Sequence, residues 1–157
     1  MTQNTIIWFR RDLRLYDNAA LFHALKDSNQ VFPVFIFDTQ ILSNLQNKKD
    51  RRIEFILQSL AEIKKTLNEN GSDLIVEMGD PKFLIPKLIT EYKCNSLYIN
   101  RDYEKYAQDR DQTISKILLN KKVTTFTFKD QVLFENDEIL TQSHNPCLYI
   151  MSYIYIL

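Results

Sequence analysis

Five short apolar runs rich in β-branched and aromatic residues punctuate the chain, at 6–9, 31–37, 74–78, 97–100 and 123–128, and longer stretches of helical periodicity separate them. Runs without polar alternation belong to strands covered on both faces, as in a parallel sheet between two helical layers. Between them, Asp17 or Asn18 stands where a side-chain oxygen can cap a helix through Leu25. Residues 51–67 carry an apolar stripe, Pro81 suits a first helical turn, and a further helix is expected over 103–119. This alternation predicts an α/β fold, a Rossmann-like doubly wound five-stranded parallel sheet flanked by helices, with right-handed crossovers. A chain of 157 residues can bury one sizeable core, so one domain is expected, over 1–142. The apolar tail at 143–157, which holds "CLYIMSYIYIL", is set apart from it.

Composition excludes several functions. Lysine and arginine equal aspartate and glutamate at 20 each, so no global positive field advertises autonomous nucleic-acid binding. The polar N-terminus has no signal-peptide core, which predicts an intracellular, cytoplasmic protein. The eleven apolar residues at the end are too few for a helix to cross a bilayer, which takes about 20. Cys94 and Cys147 are far apart, and His23 and His144 are isolated, so no metal site is expected and His23 reads as an ordinary helix residue.

Ligands of open α/β sheets bind outside the carboxyl ends of the strands, near the point where strand order reverses. Those ends supply Arg10, Arg11 and Asp12, then Asp38, Gly79 and Asp80, and then Asn100, Arg101 and Asp102. Strands have to end in something polar, which accounts for part of this concentration. Two arginines go further. Arg110 shares a helix face with Tyr103, Ala107, Ile114 and Leu118, and Arg52 shares one with Ile56, Leu60, Ile63 and Leu67. An arginine on a buried face needs a partner. Either it snorkels outward or pairs with Asp12, Asp38 or Asp102, or both arginines point into a pocket beneath the long connection at 38–50. That connection has room for a short helix.

The first strand-to-helix turn contains no glycine, and the chain has only Gly71 and Gly79, which excludes a G-x-G-x-x-G fingerprint and a P-loop. Phe35 and Phe37, beside arginines, suit a flat conjugated ligand, with core packing the alternative for at least one of them.

The segments "WFRRDLRLYDNAAL" (8–21), "VFIFDTQIL" (34–42), "GDP" (79–81) and "NRDYEKYAQDRD" (100–111) together resemble the N-terminal α/β domain of the DNA photolyase and cryptochrome family. The similarity runs from about Ile6 to Pro146. It implies a domain that holds a light-harvesting antenna chromophore. In such proteins a larger helical domain carries FAD, which injects an electron into a pyrimidine dimer flipped out of DNA. Carried over by position, the antenna site falls on Phe35, Ile36, Phe37, Asp38, Arg52, Arg101 or Asp102, and Arg110. The folate-binding members carry an Asn-Glu pair where this chain has Tyr106 and Ala107, which favours a deazaflavin or flavin over folate.

The family's enzymes are carbon-carbon lyases, deoxyribodipyrimidine photo-lyases, but their FAD site and DNA surface lie in the helical domain. No catalytic residue is therefore assigned here. After Pro146 the glycine and the Thr-Pro-Phe-like turn of the family are replaced by "CLYIMSYIYIL". This reads as an interrupted frame or a fragment that is not repair-competent alone and self-associates through its tail. A stand-alone flavin or nucleotide module of the light-sensing, cryptochrome type and a non-functional remnant are the alternatives.

Overall fold

The computed structural model describes residues 3–43, 50–135 and 138. In chain order these form β1 (Asn4–Phe9), α1 (Ala19–Asp27), β2 (Gln30–Asp38), α2 (Thr39–Ser43), α3 (Arg51–Glu69), β3 (Ile75–Gly79), α4 (Pro81–Glu91), β4 (Ser96–Asn100), α5 (Lys105–Asn120) and β5 (Thr124–Phe128). The five strands make one sheet in the order β3-β2-β1-β4-β5, every pair parallel, so β1 is central and the winding reverses beside it. This is the doubly wound α/β architecture expected from the alternation of runs. The proposed boundary at 142 and the apolar tail fall outside the described residues.

Alternation along the strands sends side chains to two cores. Ile6, Trp8, Val34, Ile36, Leu97 and Ile99 pack on one face with Ile85 and Leu88 of α4 and Ile114 and Leu118 of α5. Ile7, Phe9, Phe35 and Tyr98 pack on the other with Ala20 and Ala24 of α1 and Leu60 and Ile63 of α3. Ile6, Ile7, Trp8 and Phe9 are each at most 2% exposed, and burying an apolar side chain of this size is worth about 1.5–3 kcal/mol.

Caps set where the helices begin, and so where the strand ends are left open. Asn18, not Asp17, caps α1, its side chain accepting from Leu21 N at 3.0 Å. Asp17 instead takes a positive φ of 50° in the turn before it. Asp50 caps α3, and Asp80 caps α4 just ahead of Pro81. The long connection after β2 holds the short helix α2. His23 on α1 stacks on Phe128 with ring centroids 4.5 Å apart. Among the described residues no group of three or more His, Cys, Asp or Glu is placed to hold a metal ion, and no helix is long and apolar enough to cross a membrane.

Candidate functional site

The central position of β1 brings three loops to one edge of the sheet. Over the carboxyl ends of β1 and β2, between α2, the start of α3 and the first turns of α5, lies a cavity of about 300 Å³. Trp8 and Ile36 reach it from one face of the sheet, Phe35 and Phe37 from the other, and Tyr106, Ala107 and Arg110 from α5. Phe35 and Phe37 meet edge to face, 5.0 Å between centroids. Phe35 is buried in the core while Phe37 packs at its margin, so both serve the core and both line the cavity.

Arg110 is 3% exposed, on the buried face of α5 that the spacing indicates. Its guanidinium lies 4.7 Å from the Trp8 ring and 5.6 Å from the Tyr106 ring. Nη1 is 3.4 Å from Asp38 Oδ2, and Nε donates to Asp111 Oδ1 at 3.0 Å. Nη2 lies 2.9 Å from the same Asp111 oxygen, yet it completes no aligned hydrogen bond. Arg110 thus takes part in an internal ion pair and also lines the cavity. Tyr106 donates its hydroxyl to Asp38 Oδ2 at 2.8 Å, and Asp38 Oδ1 accepts from Gln40 N at 3.0 Å. Burial first, and the Asp38 carboxylate second, push the Tyr106 phenol well above its usual range, so it stays a neutral donor.

Arg10 sits 5.1 Å from the Trp8 ring and bonds Asp111 and the Asn100 carbonyl. Asp12 turns inward, 3% exposed, accepting from Arg10 N at 2.8 Å and Asn100 Nδ2 at 2.6 Å. Arg11 remains largely outside, paired with Glu104 and 3.7 Å from Asp102. Of the charged run after β1, then, Arg10 and Asp12 tie the loop to β4 and α5, and Arg11 stands on the cavity rim.

Of the eight residues singled out in the sequence, Phe35, Ile36, Phe37, Asp38, Asp102 and Arg110 line this cavity. Arg52 also lines it, but its side chain is 74% exposed rather than buried. Its guanidinium folds back onto Asp50, the cap of its own helix, with Nη2 to Oδ2 2.6 Å. Arg101 does not join them. It pairs with Glu135 in a separate open depression of about 620 Å³, which Asp102 also borders. Trp8, Arg10, Arg11 and Tyr106 are lining residues absent from the sequence-based set. Two signals mark three of them: Arg10 follows Trp8 by two positions, just past the end of the strand, and Tyr106 precedes Arg110 by one helical turn.

The domain is thus a doubly wound α/β sheet with no glycine phosphate loop and with an aromatic, arginine-bearing crevice at its carboxyl edge. Residues 5–155 match the DNA photolyase family model. The chain is 34% identical over 146 residues to the deoxyribodipyrimidine photo-lyase of Synechococcus sp., covering 93% of this chain and 30% of that protein. A bacterial class III photolyase from Agrobacterium tumefaciens superposes with a TM-score of 0.83 at 28% identity, over 95% of this chain and 30% of that one. An archaeal photolyase from Sulfolobus tokodaii, solved with two FAD molecules that implied a novel light-harvesting cofactor, gives 0.78 at 31% identity over 88% and 32%. The chain belongs to the DNA photolyase family and has the fold of the family's N-terminal α/β domain. It spans about a third of the length of these relatives.

Proposed function

We propose that the cavity at the carboxyl edge of the sheet binds an antenna chromophore, a flavin or deazaflavin, for a photolyase-type protein that repairs pyrimidine dimers in DNA. The observation that carries this reading is the buried Arg110 guanidinium, held between two aromatic rings with one N–H group left without an aligned acceptor. A flat heterocycle with carbonyl and ring-nitrogen acceptors completes that donor and stacks on the aromatic walls. Trp8, Phe35 and Phe37 exclude water from the ring, and Asp38, fixed by Tyr106 and Gln40, holds Arg110 in place. Arg11 and Arg52 stand exposed at the rim, where an anionic tail would reach them. Arg101 is left out of this set, because Glu135 holds it elsewhere. When bound, the chromophore supplies light absorption and passes its excitation on. The FAD and DNA contacts belong to the part of the relatives that this chain does not span. The buried free thiol of Cys94 suits a reducing, cytoplasmic setting.

Trp8 is the only tryptophan in the chain and lines the cavity, so it reports on the site directly. Titration with riboflavin, FMN and 5-deazariboflavin is expected to give saturable quenching of its emission and a shifted ligand absorption band. Unchanged emission and an unshifted band with all three would overturn the reading.

A further inference from the structure

This inference rests on the flavin-type reading of the cavity and concerns how long a ligand it takes. Tyr106 and Ile41 line two spaces at once, the cavity over β1 and β2 and a second of about 220 Å³ that they share with Gln40 and Ser43. The two differ in chemistry. The first is aromatic and carries arginines. Among the described residues the second offers a neutral amide and a hydroxyl and no cation, a set that suits a base or a sugar better than a phosphate.

The phenol ring between them is fixed at both ends. Its hydroxyl donates to Asp38 at 2.8 Å, and its ring lies 5.6 Å from the Arg110 guanidinium. Asp38 is in turn 5% exposed and held by Gln40 N, so the acceptor cannot follow the ring if the ring turns. Tyr106 itself is only half-buried and has solvent to turn into.

We propose that Tyr106 determines ligand length. Latched to Asp38, its ring divides the space, and the site takes a tricyclic ring with a mononucleotide tail that leaves past Arg11 and Arg52. With the latch broken the two spaces become one trough, and the second half of a dinucleotide lies against Gln40 and Ser43.

The test uses FMN and FAD as probes on the full chain, with dissociation constants measured by equilibrium dialysis for wild type, Tyr106→Phe and Tyr106→Ala, and circular dichroism as the check on folding. Wild type is expected to favour FMN over FAD by about tenfold, the discrimination that a contact worth one decade of affinity provides. Tyr106→Ala moves that ratio toward FAD by about tenfold or more, whatever it does to FMN affinity itself, and Tyr106→Phe, which keeps the ring but loses the latch, moves it part of the way. A ratio in Tyr106→Ala within about twofold of wild type, with FMN still bound, overturns the latch and leaves the cavity reading standing. If Tyr106→Ala does not fold, an unmoved ratio in Tyr106→Phe overturns it. If none of the three chains binds either flavin, this inference is overturned, and the cavity reading is decided separately by the riboflavin and 5-deazariboflavin titrations.

Discussion

Asp38 at the end of β2 and Arg110 on α5 meet at 3.4 Å across 72 positions of sequence, each side chain only 4% exposed. Arg110 also touches Asp111, so removing Asp38's charge leaves it partly paired rather than abandoned. We expect Asp38→Asn to cost about 2 kcal/mol, below the full penalty for orphaning a buried ion. Urea denaturation measures it; a loss under about 0.5 kcal/mol would mean that Asp111 alone satisfies the guanidinium.

Asn100 is the more demanding position. It is 1% exposed, accepts from Ala20 N at 2.9 Å, and donates to Asp12 Oδ2 at 2.6 Å and Asn18 Oδ1 at 2.9 Å. One amide thereby joins the end of β4 to the first loop and the start of α1. Asn100→Ala strands at least two buried polar groups and is expected to lower stability by about 3 kcal/mol, read as a shift in the urea midpoint at constant slope.

Tyr106 provides a prediction in alkali. Burial and Asp38 raise its phenol above the ordinary value, so the folded state holds the proton more tightly than the unfolded one. The stabilisation is therefore complete below an ordinary tyrosine pKa of about 10 and is lost as pH rises toward the folded value. Phenolate absorbance at 295 nm compared between wild type and Tyr106→Phe is expected to show the missing residue titrating only above about pH 10. A difference that develops below that point would contradict the buried Asp38 bond.

Cys94 is 6% exposed, and burial pushes its thiol up to about 12. The reactive species is the thiolate, so at mild pH this sulfur should be inert. In a Cys147→Ala chain, a disulfide reagent at pH 8 is expected to label Cys94 only on addition of denaturant. Rapid labelling of the folded chain would mean that the α4–β4 corner opens readily.

Strands and helices were readable because buried parallel strands and amphipathic helices have different apolar periods. Ile6 to Phe9 obey this logic, with the strand ending where Arg10 begins. The site was readable in part. Helical phase put Arg110 on the buried face correctly, and the same phase applied to Arg52 misled. Arg52 lies in the first turn of α3, where a long side chain reaches Asp50 two residues back more easily than the pocket. Arg101 was ambiguous for another reason, since successive residues after a strand project to opposite sides, and its neighbour Asp102 is the one that reaches the cavity. Tyr106 entered only as a position where folate-type relatives differ; its bond to Asp38 spans 68 positions and no local pattern announces it.

The placement of β1 also bears on how the chain acquires its shape. The strand that comes before the other four in this chain is the middle of the sheet, and its partner β4 joins it through pairs such as Thr5 with Ser96. During synthesis, Ile6 to Phe9 can gain β2 on one side early, but the other side stays open until β4, roughly 90 residues further along the chain, has been made. Such distant pairings make assembly slow, and for that interval a strand whose residues from Ile6 to Phe9 are all buried in the finished fold is a bare edge that a chaperone has reason to cover.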